Sequence, residues 1–372
     1  MADNQNTTQN TEQRRIYFAA TGKSLQDYRP DAKEIEAPGR DWISWGKRND
    51  FPNYIYCLSK AASTLKSVIS GCADYVAGDK VTCSSFPYEE KYMNRKRQSP
   101  AYIVRALAQD YFRYGGFCFE VIRNREGKVV EVYHIDLRFI RTNKDCDVFW
   151  YSEDWNKRWG KKNDIIYPEF KDDASNVVSS LFFFKNCEEQ VYPECPFEGS
   201  IIAAELERDI DEYHLNSMNN NFAGSFLVNF NNGVPPEDVR KEIERDFNNK
   251  YSGYQNGCRI VYSWNDSKDA MTILQEIKAS DFSDKYEALS KRSRQQIFTA
   301  FRANPNLFGI PTENLGFSNE EYEAAFKLFN RTMIQPVQQT ILQALESVFD
   351  FGMTIAPFTL AGAVEGDEKA QQ

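Results

Sequence analysis

Three groups of residues in this chain are of types that do chemistry, and each can be held against the spacing that chemistry needs. Gly22-Lys23-Ser24 follows the apolar run IYFAAT and has the ending of a phosphate-binding loop. Such a loop also needs a glycine five residues earlier, where backbone N–H groups close on a phosphate; the residue there is Tyr17, whose bulk blocks that approach. The carboxylate pairs Asp172-Asp173 and Glu188-Glu189 have the type of metal ligands or of an acid/base couple, but nothing else in the sequence converges on them, and adjacent loop acids form a solvated face. Only two histidines are present, His134 in a strand and His214 in an acidic helix, too few for a His-rich zinc site or a His-based nucleophilic triad. His134 reads as a packed imidazole and His214 as an interface or solvent-facing residue. Eight cysteines, at 57, 72, 83, 118, 146, 187, 195 and 258, include no CxxC pair and lie mostly in apolar runs such as GGFCFEV, which predicts reduced, buried thiols. The expectation is a protein without cofactor, metal or enzymatic activity.

The elements that would position any site follow from length and pattern. A chain of 372 residues, 41% hydrophobic and 14% aromatic, has enough apolar mass for two or three modules. The first and last dozen residues read as disordered or partner-dependent tails. No apolar run approaches the roughly 18 to 20 residues of a membrane span, and the amino terminus lacks a basic-then-apolar signal, so a soluble protein made in a cytoplasm is expected. A net charge of −9 argues against a conventional nucleic-acid binder with a basic stripe. It leaves room for a protein past which nucleic acid slides without sticking.

Residues 52–77 place Ile55, Leu58, Ala62, Leu65, Ile69, Cys72 and Val76 on one helical face, with Gly78 as the stop. Residues 100–114 repeat the helical pattern up to Gly115-Gly116. FCFEVIRNREGKVVEVYHI then alternates, turns at 124–127 and resumes, which is a hairpin, and further strands are expected at 147–151, 164–167 and 181–184. This predicts an α+β domain of helices on an antiparallel sheet. Pro193, Pro196 and Gly199 mark a boundary, after which an acidic helix at 201–222 carries the stripe Ile202, Leu206, Ile210, Tyr213, Ser217, Met218 and Phe222. GSFLVNF, a helix after Pro235-Pro236, GCRIVYSW and MTILQEI form a small β-α-β-β module. A second long helix covers 280–302. A third, opened by the capping box Ser318-x-x-Glu321, covers 318–349 and places Tyr322, Phe326, Phe329, Met333, Val337, Ile341, Leu345 and Val348 on one face. Pro336 predicts a kink in its middle.

Between the second and third helices lies FRANPNLFGIPTENLGF, rich in helix breakers yet dotted with large apolar groups. Two readings of it stand open: a ring of identical loops that change shape while their apolar residues pack on neighbours, or an interhelix loop with those residues tucked into the core. Two long helices with apolar flanks and a small head on their tip gain burial when copies pack side by side, though an intramolecular helical domain has the same pattern.

The order helix, β-α-β insert, helix, Asn-Pro and Gly loop, kinked helix resembles the portal proteins of tailed bacteriophages, particularly the branch accompanying the HK97-type capsid. The resemblance is carried by GGFCFEVIRNREGKVVEVYHIDLRFIR, GSIIAAELERDIDEYHLNSMNNNFAGSFLV and IFTAFRANPNLFGIPTENLGFSNEEYEAAFKLFNRTMIQPVQQTILQAL. It implies an arm at 1–44, a wing at 45–199, stem helices at 200–223 and 279–302, a clip at 224–278, a tunnel loop at 303–317, a long kinked helix with a return strand to the wing at 318–360, and a tail at 361–372. It implies a homo-oligomeric ring, a dodecamer, at one capsid vertex of the virion, through which double-stranded DNA is packaged and ejected. Terminase large subunit, head-completion or adaptor proteins and major capsid protein are the implied partners; no membrane is. The chain ends soon after DFGMTIAPFTL, so a helical crown is expected to be short or absent. The residues implied at the DNA channel are Asn304, Pro305, Asn306, Leu307, Phe308, Gly309 and Ile310. Glu205, Asp209 and Glu212, with Lys291, Arg292 and Arg294, are the stem charges expected near the channel or a neighbouring helix, with pairing between them favoured. A neck connector or baseplate subunit, built from similar α+β pieces, is the alternative, and an intracellular enzyme with an unrecognised site is the third.

Overall fold

A computed structural model describes residues 18–20, 30–155, 165–173, 177–219, 226–230, 235–251, 260–264, 282–310 and 319–358. In chain order the elements begin with strands β1 (Phe18–Ala20), β2 (Glu34–Ile35) and β3 (Ser44–Trp45), then helices α1 (Phe51–Ala61) and α2 (Ser63–Ala77). Strand β4 (Lys80–Thr82) and helix α3 (Pro100–Tyr114) lead into β5 (Gly116–Arg123), β6 (Val129–Ile135), β7 (Ile140–Thr142), β8 (Val148–Tyr151), β9 (Ile165–Pro168) and β10 (Ser179–Lys185). The remainder is α4 (Ile201–Asn219), β11 (Phe226–Phe230), α5 (Glu237–Tyr251), β12 (Ile260–Trp264), α6 (Phe282–Ala300), α7 (Asn319–Phe329), α8 (Gln335–Glu346) and β13 (Thr354–Ala356). The chain forms two compact units, Arg29–Arg208 with Leu289–Gln372, and Met1–Tyr28 with Asp209–Ala288. It is a mixed helix and sheet protein with small, mostly antiparallel sheets.

In the larger unit, α3 begins and ends where its sequence dictates. Ser99 caps it by accepting from Tyr102 N at 3.3 Å, Pro100 occupies the first turn, and Gly115 stops it at φ 86°. The chain then enters the sheet β10-β5-β6, in which Phe119 faces Phe182 and Phe117 faces Phe184, both pairs stacked with centroids 4.8 and 5.0 Å apart. The expected hairpin turn is present: Asn124 Oδ1 accepts from Glu126 N and Lys128 N, and Gly127 takes φ 80°. A second sheet, β7-β8-β9, contains the strands expected near 147–151 and 164–167. Trp45 stacks on Tyr192 at 4.6 Å, and the Tyr192 hydroxyl donates to Ile43 O and accepts from Thr142 N, which pins the segment before α1 onto β7.

Three expectations are corrected. The single helix over 52–77 is broken at Ala62, which takes an extended conformation (φ −79°, ψ 116°), although every residue of the expected face is buried. Cys57 is exposed, whereas Cys72, Cys118 and Cys195 are buried, because position 57 lies on the outer face of α1. Pro336 falls in the first turn of α8, and the irregularity it demands is a π-helical turn just upstream, at Asn330–Ile334, with Gln335 N donating to Asn330 O. The Gly22-Lys23-Ser24 stretch, Cys258, MTILQEI and Ser318 lie outside the described residues.

In the smaller unit the parallel pair β11 and β12 is joined by α5, the crossover that parallel strands require. The other edge of β12 is taken, antiparallel, by β1.

His134 is packed as expected, and its surroundings couple it to pH. Its Nε2 lies 2.8 Å from Oδ2 of Asp110, a carboxylate only 1% exposed that also accepts from Leu137 N and pairs with Arg113. Burial opposes charge on His134, but the charge and hydrogen bond of Asp110 outweigh it, so its pKa stands above the ordinary histidine value. Asp136, next to it, is pushed up to about 6 by burial and then by the charge of Asp110. Both groups hold their protons more tightly folded than unfolded. His134 therefore adds stability below about pH 6.5 that is lost as pH rises through its folded pKa, and ionising Asp136 between about pH 4 and 6 acts in the same direction. His134→Gln retains a donor for Asp110 but cannot become charged. In urea unfolding its deficit against the wild type is expected to be largest at about pH 5 and to shrink toward about pH 8.

Candidate functional site

The residues singled out after Ser200 fall on α4, α6 and the loop that follows α6. That loop is ordered by its own hydrogen bonds. Arg302 takes φ 49°, a left-handed conformation uncommon outside glycine, and Ala303 N donates back to Phe298 O at 2.9 Å. Asn304 then caps a short 3-10 turn, Pro305–Phe308, its Oδ1 accepting from Asn306 N at 3.1 Å. Pro305 suits the first position of such a turn, where no N–H is needed. Gly309 ends it at φ 75°, and Ile310 N donates to Pro305 O at 3.2 Å.

The apolar residues of the loop pack on their own chain. Leu307 is 6% exposed, and its carbonyl accepts from the Tyr75 hydroxyl at 2.8 Å. Phe308, half-buried, meets Tyr75, Phe298 and Phe329 with centroids 6.0, 5.8 and 6.0 Å away. It also covers Gly71, where a Cβ would come within 2.6 Å of the ring. Ile310 is half-buried against the same core, Asn304, Pro305 and Asn306 are half-buried, and Gly309 is exposed. Beside Phe308 an open cleft of about 600 Å³ runs along α2, lined by Ser63, Ser67, Ser70 and Asp74. Leu315 and Phe317 lie outside the described residues.

On α4 the expected stripe is turned. Ile202 (63% exposed) and Tyr213 point outward, Leu206 is half-buried and Ile210 alone of the stripe's described side chains is buried, while Ile201, Ala203, Ala204 and Glu207 face inward. Glu207 explains the rotation. Its carboxylate is 4% exposed and accepts from Ser63 Oγ (3.0 Å), Thr64 N (3.2 Å) and Thr64 Oγ1 (2.5 Å) at the start of α2, where Ala62 supplies no side-chain cap and the first turn holds no acid. In the sequence, 201–222 reads only as an acidic helix; the signal that could have found Glu207 is a helix start without a cap. Glu205, half-buried, accepts from the Tyr54 hydroxyl at 2.7 Å. Asp209 and Glu212 are exposed on α4, and Lys291, Arg292 and Arg294 are exposed on α6, with Arg294 donating to Ser290 Oγ at 2.9 Å. Tyr213 stacks on Tyr286 at 4.9 Å, and His214, exposed, lies edge-on to the same ring.

Among the described residues of α4, α6 and this loop no set of metal ligands comes together. Asp172-Asp173 and Glu188-Glu189 are exposed loop residues, and among the described residues no cluster of three or more His, Cys, Asp or Glu side chains could hold a metal. What the fold presents is a pair of long helices, a clamped loop and an interrupted third helix. Residues 91–372 match the family described as phage portal protein. The chain belongs to the phage portal protein family. Among solved structures this portal protein is similar to a chain in the virion of the native gene transfer agent (GTA) particle, with 14% identity, a TM-score of 0.52 and coverage of 88% of this chain and 85% of that one. It is also similar to a chain in the neck of the native GTA particle computed with C12 symmetry, with 13% identity, a TM-score of 0.52 and coverage of 89% and 87%. A HK97 family phage portal protein from Corynebacterium diphtheriae matches at 12% identity, a TM-score of 0.39 and coverage of 78% and 87%. No curated protein matches the chain. As a phage portal protein it is a structural component of the virion, and among the described residues no helix is long and apolar enough to cross a membrane.

The buried carboxylate gives this portal protein a testable anchor. Glu207→Ala leaves Thr64 N without its acceptor in a water-poor site, and a loss of about 2 kcal/mol is expected in urea unfolding, with Glu207→Gln losing less.

Proposed function

We propose that this portal protein closes into a dodecameric ring at one capsid vertex and that double-stranded DNA passes through the opening during packaging and ejection. The observation that carries this reading is the family match over residues 91–372. The likeness to a chain from a C12-symmetric neck supports the copy number. The apolar side chains left outside on the helices support assembly: Ile202 and Leu215 on α4, Leu289 on α6 and Leu328 on α7 are 63%, 59%, 37% and 66% exposed. Burying them against sister copies gains roughly 25 cal/mol per Å² of apolar surface, which a single chain forgoes.

In this reading residues 45–199 are the wing, 200–223 and 279–302 the stem, 224–278 the clip, 303–317 the tunnel loop and 318–360 the long helix with its return strand. The return strand is β13, which pairs with β4. The clip meets the terminase large subunit and later head-completion or adaptor proteins, and major capsid protein is a further partner. Exposed acids on α4, among them Asp209, Asp211 and Glu212, suit a surface that a duplex must pass without arrest. Fixed negative charge raises the energy of phosphate contact over a Debye length of about 10 Å at about 0.1 M salt. Arg292 and Arg294 serve neighbouring acids or passing phosphates. In the loop, Leu307 and Ile310 hold position while the exposed Gly309 is the residue offered to the duplex.

Negative-stain images of the purified full chain are expected to show rings with a central hole. Material that sediments solely as single folded chains overturns the reading. Ile202→Asp is expected to shift rings toward smaller species while far-ultraviolet circular dichroism and thermal midpoint stay near wild type, since an exposed substitution changes stability by about 0.5 kcal/mol or less.

A further inference from the structure

We propose that Gly71 and Tyr75 of α2 are positioning residues for the loop 304–310, which they hold through Phe308 and Leu307. The loop is held to α2 by a polar contact and by the packing of Phe308, and these two attachments differ in kind. One is polar: the Tyr75 hydroxyl donates to Leu307 O at 2.8 Å. The other is steric: Phe308 sits over Gly71 so closely that even a methyl group there would press into the ring at 2.6 Å. Glycine in the middle of a helix is unfavourable relative to alanine, so its presence at position 71 has a physical reason only if the space above it is needed. Phe308 needs it.

The two attachments lie between two left-handed residues, Arg302 at φ 49° and Gly309 at φ 75°. Nothing lies within 4 Å of where a Gly309 side chain would start, so Gly309 itself adds no packing to the clamp. The clamp therefore sets where Gly309 sits relative to α2. Its consequence for DNA passage rests on the channel reading of this loop given above; the clamp itself does not.

The test is a cycle of full-length variants, Gly71→Ala, Phe308→Ala and the pair, with Tyr75→Phe as a milder change that removes only the hydroxyl. In Gly71→Ala, amide exchange of the peptide spanning 301–310 is expected to speed up by about tenfold, with the hairpin at 116–135 unchanged. Thermal midpoint is expected to fall in that variant but to rise when the same change is made in the Phe308→Ala background, where alanine simply improves the helix. Tyr75→Phe is expected to loosen 301–310 by a smaller factor. Unchanged exchange of 301–310 in both Gly71→Ala and Tyr75→Phe, or a midpoint that rises in both backgrounds, overturns the proposal. Packaged DNA in particles carrying Tyr75→Phe separates the two levels. Loosening with reduced packaging upholds positioning for DNA passage, whereas loosening with wild-type packaging upholds the clamp and overturns the loop's channel role.

Discussion

The backbone N–H groups at the start of an α-helix have no partners within it, and in α2 one of them, that of Thr64, is buried. The local sequence offers no remedy, since Ala62 has no side-chain oxygen and Ser63-Thr64-Leu65 contains no acid. Glu207 supplies the missing acceptor from another helix, and much of the larger unit follows from that contact. The chain must break at Ala62 so that α2 can start there. Helix α4 must turn Glu207 inward, which leaves Ile202 outside. Fixed at its start, α2 then carries Gly71 and Tyr75 to the loop after α6, and its closing carbonyls at Tyr75 and Val76 accept from Gln338 of α8 at 3.5 and 2.9 Å. One helix thereby touches an acidic helix, a loop and the last long helix of the same unit.

Elements whose stabilising interactions are local were legible in the sequence. α3 carries its own cap, its own proline and its own stop, and the β5–β6 hairpin carries its own turn. The stripe through Phe326, Phe329, Val337, Ile341 and Leu345 is buried as its spacing requires, because a continuous apolar face specifies burial regardless of what covers it. Elements defined by distant partners were not. The pairs β2–β3 and β4–β13 are two or three residues long, too short for any periodicity to register. A glutamate among other acids looks like one more solvated charge until the helix start it serves is known. The loop was recognised as unusual from its composition, but that Leu307 and Phe308 turn toward α2 depends on a glycine more than two hundred residues away in sequence.

The smaller unit shows the same limit in another form. β11, α5 and β12 were readable because each is a contiguous pattern, yet the strand that completes the described part of their sheet comes from near the amino terminus, some two hundred residues earlier. Phe18–Ala20 lies in the segment that the resemblance to portal proteins implies is an arm. Pairing of main-chain groups asks little of side chains, so a strand of three residues can join a sheet without a hydrophobic signature.

The π-turn at Asn330–Ile334 is a matter of angular arithmetic. From Phe329 the apolar residues recur at 333, 337, 341 and 345, an unbroken run of four-residue steps. At about 100° per residue, each such step overshoots a full turn by about 40°, and four of them by about 160°, more than the roughly 100° width of a core-facing stripe. A single wider turn absorbs part of that drift, much as a leap day corrects a calendar. A chain one residue shorter between 330 and 334 would return to regular winding, and everything from Gln335 onward would face about 100° away from its present neighbours.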